Sequence, residues 1–294
     1  MDARLPDQAA LDMVDGKNAL ADVVARLRAG TLVPTLGPGL AALGEPQAPM
    51  TPETLAGFFG TKVALPRRTR GNVWASAQHI ESMKHRSTVT ALMSEAFSVA
   101  VEPTPLHRYL ASLPLPMIVD TWYDGAMRAA LASRSDWGEV QGITRAGIGE
   151  DRWYRFYDAA GKETDRAAAE RWTTLLYKPH GGVVPAKNFL ISDADYVEVL
   201  TEIDIQTPIP DAVKNRRTTC SFLFIGCRFY DQMLRTYARQ IPKRSAGPHF
   251  AIVDPDGLTK NEIRFLAAQD IRPIVMPLAR AAELLLQSAQ VPGL

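Results

Sequence analysis

The feature that most constrains the fold is the alternation in the last third of the chain. Three apolar runs, "SFLFIG", "HFAIVD" and "IRPIVM", are each followed by a helical pattern, "RFYDQMLRTYARQI", "LTKNEIRFLAAQ" and "ARAAELLLQSA". Strands apolar on both sides are buried on both faces, and strand–helix alternation implies a parallel sheet. The front of the chain reads the same way. Residues 18–28 place Leu20, Val23, Val24 and Leu27 on one helical face, Gly30 stops the helix, and "TLVPTLGPGL" supplies a short strand and a turn. In the middle, "PLHRYLASLP" reads as a helix, 117–119 as a strand, 120–124 as a strand-end loop and 125–131 as a helix. "LLYKPHGG" is a further strand and loop, and "SDADYVEVLTEI" a helix capped by Ser192 or Asp193. The predicted class is α/β: a Rossmann-like, doubly wound parallel sheet with a helical insertion.

Two stretches interrupt this rhythm within one expected domain spanning 1–294. The first, about 45–105, is the helical insertion. It is irregular to residue 72 apart from a short helix after Thr51, then helical over 73–99. There Ser87 is the expected cap of a helix carrying Val89, Leu92, Met93 and Ala96 on one face. The second, about 134–170, is polar and turn-rich and reads as an irregular insertion, with an aromatic hairpin at "RWYRFYDAAGKET". Its Trp153, Tyr154, Phe156 and Tyr157 are expected to pack rather than to bind.

Composition removes several classes. Of 294 residues, 46% are apolar, enough for a real core, and 33 basic residues face 32 acidic ones. That balance gives no general attraction to nucleic acid or an anionic membrane. Arg67, Arg68 and Arg70, and likewise Arg216 and Arg217, read as solvated loop clusters. The two cysteines, Cys220 and Cys227, cannot complete a four-ligand zinc site. A strand advances ~3.3 Å per residue, which separates them too far for a disulfide. Such cysteine usage suits a reducing cytoplasm. "MDARLPDQAALDMVDG" lacks the apolar core of a secretory signal, and no run approaches the ~20 apolar residues of a membrane span. The expectation is a cytoplasmic protein with no metal, no membrane attachment and no direct nucleic-acid binding.

In doubly wound sheets, ligands bind beyond the carboxyl ends of the strands. The candidates at such ends are Gly37, Pro38 and Gly39; Thr121, Trp122 and Asp124; His180; Gly226, Cys227 and Arg228; and Asp254. Gly37-Pro38-Gly39 is either a plain turn or an anion-binding helix start; Ala42 stands where a third glycine would complete the dinucleotide fingerprint. His180 lies between Pro179 and two glycines, so it sits on a shaped loop, either as an exposed or capping histidine or as a presented imidazole.

Together these motifs resemble the SIR2-like family, in order from about residue 31 to 286. "VPTLGPGLA" is similar to the family's strand and Gly-Ala-Gly-x-Ser loop. "PLHRYLASLPLPMIVDTWYDGAMRAAL" resembles its segment ending in Thr-Thr-Asn-Tyr-Asp. "LLYKPHGGV" resembles Lys-Leu-His-Gly-Ser, which carries the catalytic histidine. "ISDADYVEVL" and "FLFIGCRFYDQMLR" resemble the helix start and the nucleotide loop that follow. The Cys-x-x-Cys pairs of the zinc-bearing deacylases are absent, so the chain looks most like the bacterial zinc-free branch.

The resemblance implies NAD across the strand ends, its pyrophosphate on the first loop and its nicotinamide–ribose bond broken through an oxocarbenium-like state. It assigns His180 as base or hydrogen-bond partner near the ribose hydroxyls, a role that suits a neutral imidazole. Asp124 falls at a ribose-ligand position or caps a helix. Gly37, Pro38, Gly39, Thr121, Trp122, Gly226, Cys227, Arg228 and Asp254 fall at cofactor contacts. The departures matter. Trp122 stands at the asparagine that orients ribose or water, and an indole has one donor and no acceptor. Ala41 replaces the first-loop serine. Arg228 replaces another serine, as either a phosphate contact or a solvated helix-start residue. Asp120 could supply a carboxylate near the lost amide. Two functions follow: an NAD glycohydrolase of the antiviral-defence type with impaired or conditional activity, or an inactive nucleotide-binding module or structural subunit. Both invite a protein partner or a homo-oligomer.

Overall fold

The computed structural model describes residues 16–144, 153–202, 209–240 and 242–289. It opens with α1 (Gly16–Arg28), β1 (Leu32–Leu36) and the short α2 (Pro38–Ala42), followed by α3 (Pro52–Lys62), α4 (Val73–Lys84), α5 (Arg86–Ala96) and α6 (Pro105–Ser112). Next come β2 (Met117–Asp120), α7 (Ala126–Leu131), β3 (Trp137–Gly142), β4 (Tyr154–Asp158), β5 (Glu163–Thr164), α8 (Arg166–Ala169) and β6 (Thr174–Lys178). A two-stranded pair, β7 (Gly181–Gly182) with β8 (Asn188–Phe189), leads to α9 (Asp193–Glu202) and α10 (Asp211–Arg217). The chain then alternates through β9 (Ser221–Ile225), α11 (Gln232–Gln240), β10 (His249–Val253), α12 (Lys260–Ala268), β11 (Ile271–Val275) and α13 (Leu278–Ala289).

Among the described residues, nine strands form one sheet in the order β11-β10-β9-β1-β2-β6-β3-β4-β5. It is parallel from β11 to β3 and ends in an antiparallel extension. Helices cover it, giving the Rossmann-like α/β fold. The chain leaves β1 towards β2 and later returns to β9 on the other side, so the strand order reverses between β1 and β9. A ligand crevice belongs at the carboxyl end of that reversal. Leu36 is paired with both Ile225 and Asp120, which sets three strand-end loops side by side.

Side-chain alternation explains the layers, since successive residues of a strand face opposite ways. Leu32, Leu36, Ile118, Leu223 and Ile225 pack against Leu20 and Leu27 of α1, Leu110 of α6 and Leu285 of α13. Val33, Val119, Phe222 and Phe224 face the other way, towards Val213 of α10 and Phe265 and Leu266 of α12. Each such side chain contributes ~1.5–3 kcal/mol when fully buried. A third core joins Leu55 and Phe59 of α3, Trp74 and Ile80 of α4, and Val89 and Met93 of α5 to Trp122, Tyr123, Tyr196 and Tyr237. The inserted helices therefore pack onto the loops beyond the strand ends. Thr51 caps α3 by accepting from Thr54 N at 3.1 Å.

Several expectations need correction. His85 alone (φ 81°) closes α4 and opens α5, which starts at Arg86, so Ser87 lies inside the helix instead of capping it. Residues 134–170 are not wholly irregular: β3 is a full strand between β6 and β4, and the expected hairpin, β4 with β5, extends the sheet. Arg216 and Arg217 are not on a solvated loop but on α10. Arg216 donates to the carbonyls of Pro116 (3.0 Å), Ala169 (2.8 Å) and Trp172 (2.9 Å), and Arg217 to that of Gln240 (3.1 Å). Of the two caps expected for α9, Ser192 accepts from Asp195 N at 3.3 Å. Cys220 and Cys227 are free thiols. No helix among the described residues is long and apolar enough to cross a membrane. The amino-terminal reading, Arg152 of the expected hairpin, and residues 203 and 241 of two expected helices lie outside the described residues.

Candidate functional site

The floor of the site is made of backbone. Gly37 N donates to Ile225 O (2.8 Å) and Gly39 N to Gly226 O (3.0 Å). A Cβ on Gly37 or Gly39 would come within 2.4 or 2.8 Å of Gly226 O, and one on Gly226 (φ +67°) within 2.4 Å of Leu40 N. Only glycine allows this approach and this backbone angle. The interlock also engages the amides of Gly37 and Gly39 inside the protein, and Pro38 has none, so the first loop offers an anion less than its glycines suggest.

One wall is the loop after β2, held in shape by a buried lysine. The Lys178 ammonium donates to Asp120 Oδ2 (2.5 Å), Trp122 O (2.7 Å) and Asp124 O (3.0 Å). Burial works against that charge, but Asp120, Asp124 and Glu139 raise the lysine above its ordinary value. Burial in turn pushes Asp120 up to about 6, against the pull of Lys178; the pair is ionised at pH 7. Asp120 Oδ1 accepts from Trp122 N at 3.1 Å. Its carboxylate is thus committed to the loop and is not a free group beside the lost amide.

Trp122 is buried, and its indole N–H donates to Pro49 O at 3.0 Å. Its ring packs against Tyr123 at 5.1 Å and Phe97 at 6.4 Å. With its one donor engaged, it faces the site as an apolar wall. Asp124 is set apart from the others. It does not line the cavity described below, and its carboxylate accepts from Ala126 N (2.8 Å), the first residue of α7, whose cap position is Gly125.

His180 is buried, not exposed. Gly181 (φ +74°) bends the chain directly after it, where a Cβ would come within 2.2 Å of Asn188 O. The imidazole Nδ1 lies 3.0 Å from Thr121 O. A carbonyl only accepts, so Nδ1 carries the proton. Burial chiefly, with a contribution from Lys178, pushes the ring down to about 4 against that hydrogen bond. The ring is therefore neutral at pH 7, with a bare lone pair on Nε2. Nε2 is buried with no protein partner among the described residues. Tyr237 and Tyr196 pack edge-on to the ring at 4.4 and 5.4 Å.

These walls enclose a cavity of about 290 Å³ with a mostly apolar lining. Pro38, Gly39, Thr121, Trp122, His180, Gly226, Cys227, Arg228 and Asp254 all line it, and Gly37 lies just beneath. Residues far apart in sequence thus meet at one rim of the sheet. Arg228 is neither free nor simply solvated: it donates to both oxygens of Glu262 (2.9 and 3.1 Å) and to Gly257 O (2.6 Å). Burial opposes the Glu262 charge, but hydrogen bonds from Arg228 and from the amides of Phe229 and Thr259 hold its carboxyl at about 2. Burial pushes the Cys227 thiol up to about 12, which disfavours the thiolate near neutral pH. Asp254 is exposed at the end of β10.

Sequence reasoning missed Thr35, Glu53, Tyr196, Tyr237 and Glu262 on the lining and Lys178 behind it. A lysine inside the apolar run "LLYKP", with an aspartate ending a neighbouring strand, was a readable signal for the last. Nothing marked Thr35. Among the described residues, no group of three or more His, Cys, Asp or Glu side chains is placed to hold a metal ion.

The sequence matches the SIR2-like domain over residues 116–274, more than half of the chain, and the protein belongs to that family. The matched stretch carries Thr121, Trp122, His180, Gly226, Cys227, Arg228 and Asp254; β1 and its glycine loop lie outside it. No curated protein matches the chain. Family membership and the sheet together point to an NAD-related function.

Proposed function

We propose that the cavity is an NAD site and that hydrolysis of the nicotinamide–ribose bond there is weak or conditional. One observation carries the reading: a neutral imidazole, locked by its Nδ1–H on Thr121 O and with its other nitrogen unpaired among the described residues, lines a cavity at the reversal point of a doubly wound sheet. Such an acceptor suits a sugar hydroxyl and could take up its proton. At about 290 Å³ the cavity is at the lower end of ligand pockets, which run from ~300 to ~1,000 Å³. It takes the nicotinamide–ribose end, with the remainder along the open edge near Asp254. Bound NAD would supply an electrophilic ribose carbon. The chain supplies the acceptor on His180, a rigid glycine floor and aromatic walls that exclude water.

A second reading, a binding module that holds NAD or ADP-ribose without turnover, is favoured by the wall opposite. The Trp122 N–H is held by Pro49 and Asp120 is held by Lys178, so neither offers the water-orienting polar group that the family's asparagine provides. Losing one positioned polar group costs ~10²–10³ in rate. A cytoplasmic setting, a protein partner or homo-oligomer, and a part in antiviral defence belong to the same proposal. The test is purified protein with NAD, following nicotinamide release beside His180→Ala. Slow release abolished in the variant supports the hydrolase. Thermal stabilisation by NAD or ADP-ribose without release selects the binding module. Neither effect overturns both.

A further inference from the structure

The lining of the cavity is poor in groups for a phosphate. On the first loop the amides of Gly37 and Gly39 are engaged by Ile225 O and Gly226 O, Leu40 N donates to Gly37 O (3.2 Å), and Pro38 has no N–H. The neighbouring loops are engaged in the same way. Thr121 donates to Leu36 O through both its amide (2.9 Å) and its hydroxyl (2.8 Å), Phe229 N donates to Glu262 (2.9 Å), and the Tyr230 hydroxyl to Glu53. Among the described residues, Arg228 is the one cation on the lining, and Glu262 and Gly257 O hold its guanidinium. Glu53 and Asp254 add two exposed carboxylates with no second lining cation to offset them. An entering phosphate therefore meets net negative charge, and the donors named here serve it only if their internal bonds break.

We infer that the site takes a cationic aromatic nucleoside and that phosphate adds nothing to its binding, so that phosphate-free nicotinamide riboside is as good a ligand as the dinucleotide. The lining selects that chemistry. Three carboxylates, Glu53, Asp254 and Glu262, against one paired arginine favour a positive charge, and lining aromatics such as Trp74 and Trp122 offer a cation their π-systems. A flat pyridinium ring suits both. Tight anion recognition uses charge-assisted bonds and loop amides, which are the groups already engaged here. The size agrees, since about 290 Å³ suits a nucleoside better than a dinucleotide. The inference rests on the NAD-site reading for the nicotinamide end, and it departs from the pyrophosphate contact that the resemblance implies.

The experiment is a calorimetric titration at low salt of NAD, nicotinamide riboside and ADP-ribose into wild type and into the double variant Glu53→Gln/Asp254→Asn. Both substitutions fall at exposed positions, and a thermal melt checks the fold. A phosphate held by even one charged hydrogen bond would tighten NAD about tenfold over the riboside. The expected result is that nicotinamide riboside binds within about threefold of NAD. ADP-ribose, which keeps the phosphates and lacks the pyridinium, should bind more weakly than either. In the double variant the preference for nicotinamide riboside over ADP-ribose should fall by about threefold or more, because two of the carboxylates that set it are gone. If NAD binds more than about threefold tighter than the riboside, or ADP-ribose binds tighter than the riboside, phosphate is gripped, the inference is wrong and the NAD site stands. An unchanged preference in the double variant also overturns it. If the riboside binds and NAD does not, the inference stands and the NAD site falls. If neither binds, both fall.

Discussion

Replacing Lys178 by methionine probes the device that shapes the site. Lys178 is 2% exposed and holds three oxygens of the loop after β2, the carboxylate of Asp120 and the carbonyls of Trp122 and Asp124. Methionine retains most of the volume and removes every donor. Breaking a buried ion pair by deleting one partner costs ~3–5 kcal/mol, because a buried charge is left alone. Two carbonyls also lose a donor, at ~1 kcal/mol each. Relief comes from protonation: Asp120 already titrates at about 6 beside the ammonium, and higher without it, so at pH 7 it can become neutral. The expected loss at pH 7 is ~3–4 kcal/mol. It should shrink towards pH 5, where protonation of Asp120 is easier in the variant. Adding Asp120→Asn should restore ~1–2 kcal/mol, since the orphaned charge is then gone. Urea denaturation of the three proteins at pH 7 and pH 5 measures all of this. A single-variant loss below ~1 kcal/mol, or a double variant no better than the single, would refute the argument. NAD binding should weaken as well, because Thr121 O, which fixes the His180 tautomer, sits on the same loop.

Acid should destabilise the fold through histidine. His180 and His107 are both buried and pushed down to about 4, mainly by burial. In the unfolded chain they titrate near ~6.5. Between those values the unfolded chain binds protons that the folded chain does not, so stability falls as pH drops from ~6.5 to ~4, by up to ~3 kcal/mol per histidine. Urea midpoints at pH 7 and pH 4.5 check this, and equal midpoints would contradict it. Trp122→Asn should cost ~3 kcal/mol, through the ring lost from the core and the donor lost to Pro49 O. At a temperature where the variant is folded, nicotinamide release should exceed that of wild type; release equal to or below wild type would show that Trp122 is not the missing polar position.

The parallel sheet was legible because its strands are apolar on both faces and its helices are amphipathic, as in "SFLFIG" and "IRPIVM". β3 was not. "WGEVQG" hides Glu139 and Gln141 with no exposure, paired to Arg128, Val184 O and Asn188, so a central strand reads as polar loop. α10 failed for a related reason, since the half-buried Arg216 and the buried Arg217 donate to distant carbonyls that no local pattern reveals. At the site, nearly every residue that the strand-end rule and the ordered motifs picked out lines the cavity, although much of the lining was not picked out. What they could not supply was partnership. That Trp122 is tied to Pro49, Arg228 to Glu262 and Asp120 to Lys178 depends on contacts 34 to 73 residues apart. Those contacts decide which groups remain free to act.

The mutual seating of Gly37, Gly39 and Gly226 has an evolutionary consequence. One side of the hollow is set by main chain, which substitution elsewhere leaves in place. Aromatic and hydroxyl neighbours such as Trp122, Tyr237 and Thr35 can therefore be exchanged one at a time without collapsing the basin beneath them. A scaffold of this kind can lose a reaction, or change its preferred guest, while keeping somewhere for a guest to sit.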